Sequence, residues 1–306
     1  MWGRVGWGVV RLAEFLQFAF SGLTVGAIYA LVALGFALIY NASHVINFAQ
    51  GEFVTIGGMA TVALMSGGGL PLLLAIPAAV MIAALVGLAL DRFAVAPAIN
   101  RPGGASVVTI IIITIGASIF IRGVIQVVLG KDFHRLPAFS GEAPIDILGA
   151  RLQPQSLWVL GVTLLVVAAL WWFFGRTRFG KAILATSHNR LAAQLVGIDT
   201  RIVLAASFGL SAALGGLAGI LTAPITLTKY DIGVMLGLKG FAAAILGGLG
   251  SGPGAIVGGI ALGLAEAMAA GYMSSAYKDA VAFIIILAVL FVRPSGLLGG
   301  RTTERV

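Results

Sequence analysis

The sequence predicts an all-α, polytopic membrane protein with about eight to ten transmembrane or re-entrant helices. Three observations predict it. Hydrophobic residues make up 59% of the 306-residue chain and charged residues only 10%, against roughly 25% charged in an average soluble domain. Apolar segments of about 20 residues, the length that crosses a bilayer, recur along the chain. The ten-residue alternating strands of an outer-membrane barrel are absent from the pattern.

The first apolar segment covers about 12–40 and carries Gly22 and Gly26, a spacing that lets helices approach closely. A polar run, Asn41 to Phe53 (NASHVINFAQGEF), separates it from a second segment that ends near Met65. Gly67, Gly68, Gly69 and Pro71 form a turn. A third span reads from Leu72 to Leu90 and a fourth from Val107 to Leu129. Residues Lys131 to Gln155 form the longest polar connection, in which Lys131, Arg135 and Arg151 are balanced by Asp132, Glu142 and Asp146. A fifth span, 157–174, leads into a basic stretch, and a sixth covers about 202–221, followed by Pro224. Gly233 to Gly271 is glycine-rich and is divided by Gly250, Gly252, Pro253 and Gly254. Its first part reads as a span or as a re-entrant piece. The last span is about 280–292, with a short basic tail after it.

The stretch Gly175 to Arg201 (GRTRFGKAILATSHNRLAAQLVGIDTR) holds five of the 19 Lys and Arg residues: Arg176, Arg178, Lys181, Arg190 and Arg201. Between two spans it reads as a cytoplasmic loop, long enough to hold a short helix. Placing Arg92, Arg101, this loop and the tail inside gives nine spans with the N-terminus outside, whereas Arg4 and Arg11 favour an N-terminus inside. The sequence leaves that parity open. The formal charge of +8 is read as loop charge that sets orientation, not as a nucleic-acid surface. Residues 1–306 read as one transmembrane domain with a loop at about 175–201. No cleaved signal peptide is expected.

Composition also excludes chemistry. The chain has no cysteine, which removes disulfides, thiolate metal sites and thiol catalysis. His44, His134 and His188 are far apart in polar loops and have no partner at helical ligand spacing. The run Gly175-Arg-Thr-Arg-Phe-Gly180-Lys181-Ala182 nearly matches a phosphate-binding loop, but Ala182 stands where Ser or Thr would hold Mg²⁺, and a span, not a strand, precedes it. The chain is therefore expected to be no enzyme, to carry no cofactor or metal and to have no catalytic residues. Any ATP would be bound by a separate subunit.

Polar residues at membrane depth carry more information, because burying them is unfavourable without a reason. Asn47, Gln50 and Glu52 cluster just before the second span; they form either a polar path that contacts substrate or helix-to-helix hydrogen bonds. Arg122 and Lys239 are read as long side chains snorkelling to the headgroup layer. Glu52 and Glu266 each read as solitary carboxylates in apolar surroundings.

Together these residues give a resemblance. Over nearly its full length, from Gly22-Leu-Thr-Val-Gly-Ala-Ile-Tyr29 to Arg293-Pro-Ser-Gly-Leu297, the chain resembles the LivH-type permease subunits of branched-chain amino acid ABC importers. The most specific pieces are Ile46-Asn-Phe-Ala-Gln-Gly-Glu-Phe53, Gly197-Ile198, Gly247-Gly-Leu-Gly-Ser-Gly-Pro-Gly254 and Tyr277-Lys-Asp279. The resemblance implies a bacterial inner-membrane importer of several subunits: two permeases, identical or different, two cytoplasmic ATPases and an external substrate-binding protein. It also implies a coupling helix at about 180–198 that docks in a cleft of the ATPase. Gly180, Lys181, Ile183, Leu184, Leu191, Leu195, Gly197 and Ile198 are the candidate coupling residues. At Ser187-His188-Asn189 the chain departs from relatives that often carry an acidic residue, so no specific ion pair to the ATPase is expected there.

Two other classes remain beside this one. The same architecture suits urea or another small amino acid or amide. A stand-alone secondary transporter or channel would need no ATPase, and its basic loop would serve orientation alone. An intramembrane enzyme lacks a catalytic constellation.

Overall fold

The computed structural model describes residues 3–99, 105–147 and 149–299, with the side chains of 3–11 and 147 left aside; Arg101, the tail from Arg301 and the side chains of Arg4 and Arg11 lie outside the described residues. The described residues form twelve α-helices and one small hairpin. In chain order these are α1 (Gly3–Ser43), α2 (Gln50–Ser66), α3 (Leu72–Leu90), α4 (Ala96–Ile99), α5 (Val107–Leu129), β1 (Ile145–Ile147), β2 (Ala150–Leu152), α6 (Pro154–Arg176), α7 (Arg178–His188), α8 (Arg190–Leu195), α9 (Thr200–Thr226), α10 (Ile232–Gly247), α11 (Gly252–Tyr272) and α12 (Lys278–Val292). A π-turn over Asp91–Val95 joins α3 to α4. Among the described residues, seven helical stretches are long and apolar enough to cross a bilayer: Leu12–Ser43, Leu72–Ile99, Val107–Leu129, Pro154–Arg176, Thr200–Thr226, Gly252–Tyr272 and Ser275–Val292. The shorter α2 and α10, 17 and 16 residues long, complete the membrane-embedded set.

Burial separates the helices into an inner and an outer group. The inner group is α1, α2, α9, α10 and α11. The first ten residues of α2, Gln50 to Met59, are all buried, which is why its hydrophobic residues show no helical stripe. A helix that is buried all round needs neighbours that fit all round. Small residues supply that fit: a Cβ on Gly219 would fall on the Val54 carbonyl, and one on Gly57 would fall on Gly216. In the same way Gly22 and Gly26 of α1 admit the backbone of α11. The outer group, α3, α5, α6 and α12, turns residues such as Leu73, Phe120, Trp171 and Phe291 outward, the face expected to meet lipid.

Polar contacts show which helix ends lie together. At one end the Asn41 amide donates to the Gly250 carbonyl at 2.8 Å, and the amides of Leu297 and Leu298 donate to Leu246 and Gly247. A cavity at this end reaches from Asn41 and Gly250 to Phe174 and Ile183, and another gathers Asp91, Arg92, Arg190 and Arg201. At the opposite end Gln17 exchanges two hydrogen bonds with the backbone of Arg151, and His134 pairs with Thr228. The first end holds Arg92, Arg176, Arg178, Lys181, Arg190, Arg201 and Arg293; the second mixes both signs. The positive-inside rule makes the basic end cytoplasmic. The nine membrane-embedded helices among the described residues then alternate, and α1 starts outside. On that assignment the start of α1 and the 131–153 connection lie outside.

The differences from the sequence reading are local. The connection 131–153 contains the β1–β2 hairpin, too short to register in hydropathy. The basic stretch holds two helices, not one, because Asn189 is extended and caps the second. The Gly233–Gly250 region is the short helix α10, whose Gly233 amide donates to Thr55 within α2.

The cysteine-free chain suits a topology test. Asp132→Cys should react with an impermeant maleimide in intact cells, and His188→Cys only after permeabilisation; the reverse pattern would invert the topology. Gly219→Val should lower the detergent melting temperature by several degrees, because the Val54 carbonyl cannot retreat from a buried helix pair. Gly116→Ala, which faces open space, should leave the melting temperature unchanged or raise it, since Ala exceeds Gly by about 1 kcal/mol in helix propensity.

Candidate functional site

Three groups of side chains stand out, and the first is the cytoplasmic elbow. Thr177 ends α6 and caps α7, its Oγ1 accepting from the Gly180 amide at 3.0 Å. Asn189 caps α8, accepting from the Ala192 amide at 2.9 Å. Gly197 has φ +87 and ends α8, so that the Ile198 amide returns to the Ala193 carbonyl at 3.0 Å. Asp199 then caps α9 through the Arg201 amide at 2.9 Å. Each helix boundary is thus set by a capping residue or a left-handed glycine. The proposed coupling residues divide. Gly180, Ile183 and Thr186 form the buried face of α7, and Ile183 is 1% exposed. Leu184, Leu191 and Leu195 are exposed, Leu195 at 81%, with Lys181 and Gly197 also on the surface and Ile198 partly covered. Ile183 therefore holds α7 against the membrane helices and is not part of an outward docking face, a correction to its expected role. Val196, 77% exposed, belongs to the outward set instead.

The second group lies where α2 meets α5. Asn47, Gln50 and Glu52 are all buried. Gln50 acts as a brace: its Oε1 accepts from the Ser211 hydroxyl at 2.7 Å and its amide donates to the Ser211 carbonyl at 3.1 Å. The same hydroxyl lies 2.7 Å from the Gly35 carbonyl of α1. Asn47 accepts from the Ala49 amide at 3.0 Å and shapes the turn into α2. Glu52 Oε1 accepts from Ser118 at 2.8 Å and forms an ion pair with Arg122 at 3.2 Å. Phe48 donates its amide to Thr114 at 3.2 Å. Thr114, Ser118 and Arg122 follow one another at four-residue spacing, so α5 presents a polar stripe to the start of α2. Ser118 and Ser211 each lie eleven residues from the cytoplasmic end of their helices, about 17 Å along the axis. Two separate helices thus place the cluster near the middle of a hydrocarbon core about 30 Å thick.

The third group joins four helices. Lys239 Nζ of α10 lies 2.9 Å from Glu266 Oε1 of α11 and 2.7 Å from Asp279 Oδ1 of α12, while Tyr29 of α1 donates to Glu266 Oε2 at 2.8 Å. The sequence reading of Arg122 and Lys239 as snorkelling chains is therefore corrected. Each pairs with a carboxylate on another helix, because a partner within reach satisfies the charge better than stretching toward headgroups. Glu52 and Glu266 are, for the same reason, not solitary. Linear spacing held no signal for this: 27 residues separate Lys239 from Glu266, and 70 separate Glu52 from Arg122. Among the described residues, no group of three His, Asp or Glu side chains is arranged to hold a metal ion.

A family model described as "Branched-chain amino acid transport system / permease component" matches residues 18–290. The chain belongs to this family. The permease is 36% identical to the high-affinity branched-chain amino acid transport system permease protein LivH of Escherichia coli K12, over 95% of this chain and 98% of that one. It is 33% identical to BraD of Pseudomonas aeruginosa, a permease protein with the same system description, over 97% and 99%. A probable LivH of Methanocaldococcus jannaschii is 31% identical over 88% of each chain. In fold, the permease is similar to a chain of PsaBC from Streptococcus pneumoniae, solved in complex with Fab, with a TM-score of 0.52, 16% identity and coverage of 93% and 97%.

The Lys239 cluster makes a stability prediction. Lys239→Met leaves Glu266 buried without its cation and should destabilise the permease by about 3–5 kcal/mol. Asp279→Asn, at the more exposed member of the cluster, should have a smaller effect. Thermal melts in detergent rank the two, and equal effects would contradict a four-helix tie centred on Lys239 and Glu266.

Proposed function

We propose that the permease forms, with a second permease subunit, the membrane path of an ATP-driven importer for branched-chain amino acids. Residues 1–306 act as one transmembrane domain. Two cytoplasmic ATPases drive it, one of them docked on the α7–α8 elbow of this chain, and an external binding protein delivers the substrate. The chain itself hydrolyses nothing and holds no cofactor. The observation that carries this reading is the exposed apolar set Leu184, Leu191, Leu195 and Val196 at the basic end of the molecule. Exposed leucines away from the lipid-facing helices favour a protein partner. Lys181, Arg178 and Arg190 around them favour a partner with an acidic rim.

The connectivity supports a coupling role. A displacement of α8 passes directly into α9 through residues 196–199. Within α9, Ser211 holds Gln50, and Gly216 and Gly219 pack against α2. Movement of the elbow therefore reaches the start of α2, where Asn47, Gln50 and Glu52 are assigned to the path. In this reading Gln50 positions the segment and Glu52 faces the α5 seam. ATP binding shifts the equilibrium between outward- and inward-facing states by making different contacts with the elbow in each.

The test is co-purification of the ATPase from cells that express the complete importer. Leu195→Asp and Val196→Asp should each reduce the recovered ATPase at least tenfold while leaving the yield of permease unchanged. Ile183→Asp should reduce the permease yield itself. A permease that purifies alone and moves leucine into liposomes without ATP would instead assign the fold to a stand-alone transporter. Uptake of urea or another amide in place of leucine would redirect the substrate and keep the architecture.

A further inference from the structure

We propose that the α2–α5 seam is a mid-membrane subsite for a zwitterion, in which Glu52 takes the substrate's α-ammonium group and Arg122, with Asn47, takes its α-carboxylate. The proposal rests on the importer reading above and gives the path its recognition chemistry. Three polar atoms at the seam have no hydrogen-bond partner among the described residues: Glu52 Oε2, Arg122 Nε and Asn47 Nδ2. Glu52 and Asn47 are 1% and 2% exposed. Buried polar atoms of this kind are uncommon and call for an explanation. The three form a matched set, one acceptor that is anionic and two donors of which one is cationic. An ammonium donates and a carboxylate accepts, so a free amino acid carries a group complementary to each of them. A sugar or an amide such as urea supplies neither charge.

Charge balance favours the same ligand. The Glu52–Arg122 pair is neutral as a unit, and a zwitterion adds no net charge when it enters between the two groups. A neutral pair becomes a neutral quartet, and no uncompensated charge is left at low dielectric. The apolar part of the substrate has a wall nearby. The rings of Phe48 and Phe241 lie 5.8 Å apart, and the Phe48 amide is held by Thr114 on the same stripe that carries Ser118 and Arg122.

The seam can also open. Among its buried residues α5 has only Ile110, Thr114, Ser118 and Ile125, whereas Ile112, Ile119, Phe120 and Val127 of the same helix are exposed. It rests on the body by one face, so swinging it aside leaves the α1–α2–α9–α11 packing intact. The Arg122 side chain is 31% exposed and lies seven residues, about 10 Å, from the outer end of α5. A guanidinium exposed at that depth suits a polar lumen better than lipid.

The experiment uses the complete importer in proteoliposomes, with leucine uptake per ATP hydrolysed as the first readout and photo-leucine crosslinking as the second. Single substitutions strand a buried charge and endanger folding, so the informative variant is the double Glu52→Gln/Arg122→Gln, which keeps a hydrogen-bonding side chain at each position and removes both charges together. The expected result is an assembled complex with ATPase activity whose uptake per ATP falls at least tenfold. Photo-leucine should crosslink to peptides covering residues 44–55 or 114–125 of the native permease, and lose that label in the double variant. Uptake at the native rate in the double variant would overturn the proposal, as would photo-leucine labels confined to other segments during active transport. If the double variant does not assemble, the crosslink positions on the native complex decide. Failure of the native complex to take up leucine with ATP would instead remove the importer reading itself.

Discussion

The start of α2 lies at membrane depth, and every polar group there has to find its partner within the protein. That constraint arranges the centre of the molecule. The non-helical turn before Gln50 frees backbone groups that a continuous helix would have paired. The Phe48 amide is taken by Thr114 of α5, and the Ala49 amide by the side chain of Asn47. Gln50 then joins α2 to Ser211 of α9, whose hydroxyl also reaches Gly35 of α1. Four helices are brought into register by the need to satisfy one turn of chain. The glycines at 57, 216 and 219 follow from it, because α2 can be enclosed only if its neighbours come within backbone distance.

The charged residues obey the same rule in two separate places. Lys239, Glu266, Asp279 and Tyr29 tie α10 and α12 to α11 and α1. That cluster fixes the short helix α10, which is too brief to be held by lipid-facing length alone. Glu52 and Arg122 make a pair of another character. It joins the most enclosed helix, α2, to α5, which is held along one face. One cluster is built to stay closed and the other has the features of a contact that can be exchanged. The distinction rests on the packing around each: four helices meet at Lys239, whereas Glu52 and Arg122 join two.

The cytoplasmic elbow connects to this centre through α9. Its two short helices are separated by a capping asparagine and ended by a left-handed glycine, so their directions are set locally and do not depend on a partner. Their buried faces, with Gly180, Ile183 and Thr186, hold them to the membrane domain. Their outer faces expose Leu184, Leu191 and Leu195 among basic and polar residues. An elbow that is rigid on one side and adhesive on the other can pass a movement along α9 into the brace between Ser211 and Gln50.

Much of this was legible in the linear chain. Apolar length identified the spans, because crossing hydrocarbon demands an unbroken helix whatever it packs against. The basic stretch from Gly175 to Arg201 marked the cytoplasmic side, since that bias acts on loops before tertiary contacts form. The segment from Ile46 to Phe53 stood out because polar residues are rare between apolar runs. Other features were decided only by the tertiary structure. Arg122 and Lys239 took carboxylate partners from helices far away in sequence, which no local spacing encodes. Ile183 and Leu184 are adjacent and equally apolar, yet one faces the core and the other the surface, because the direction of α7 is set where it leaves α6. By itself the sequence determined which segments enter the membrane and which end is basic, because those depend on the solvent each segment meets. The partners of the buried charges and the outward face of the elbow depend on which helices become neighbours, and only folding decides that.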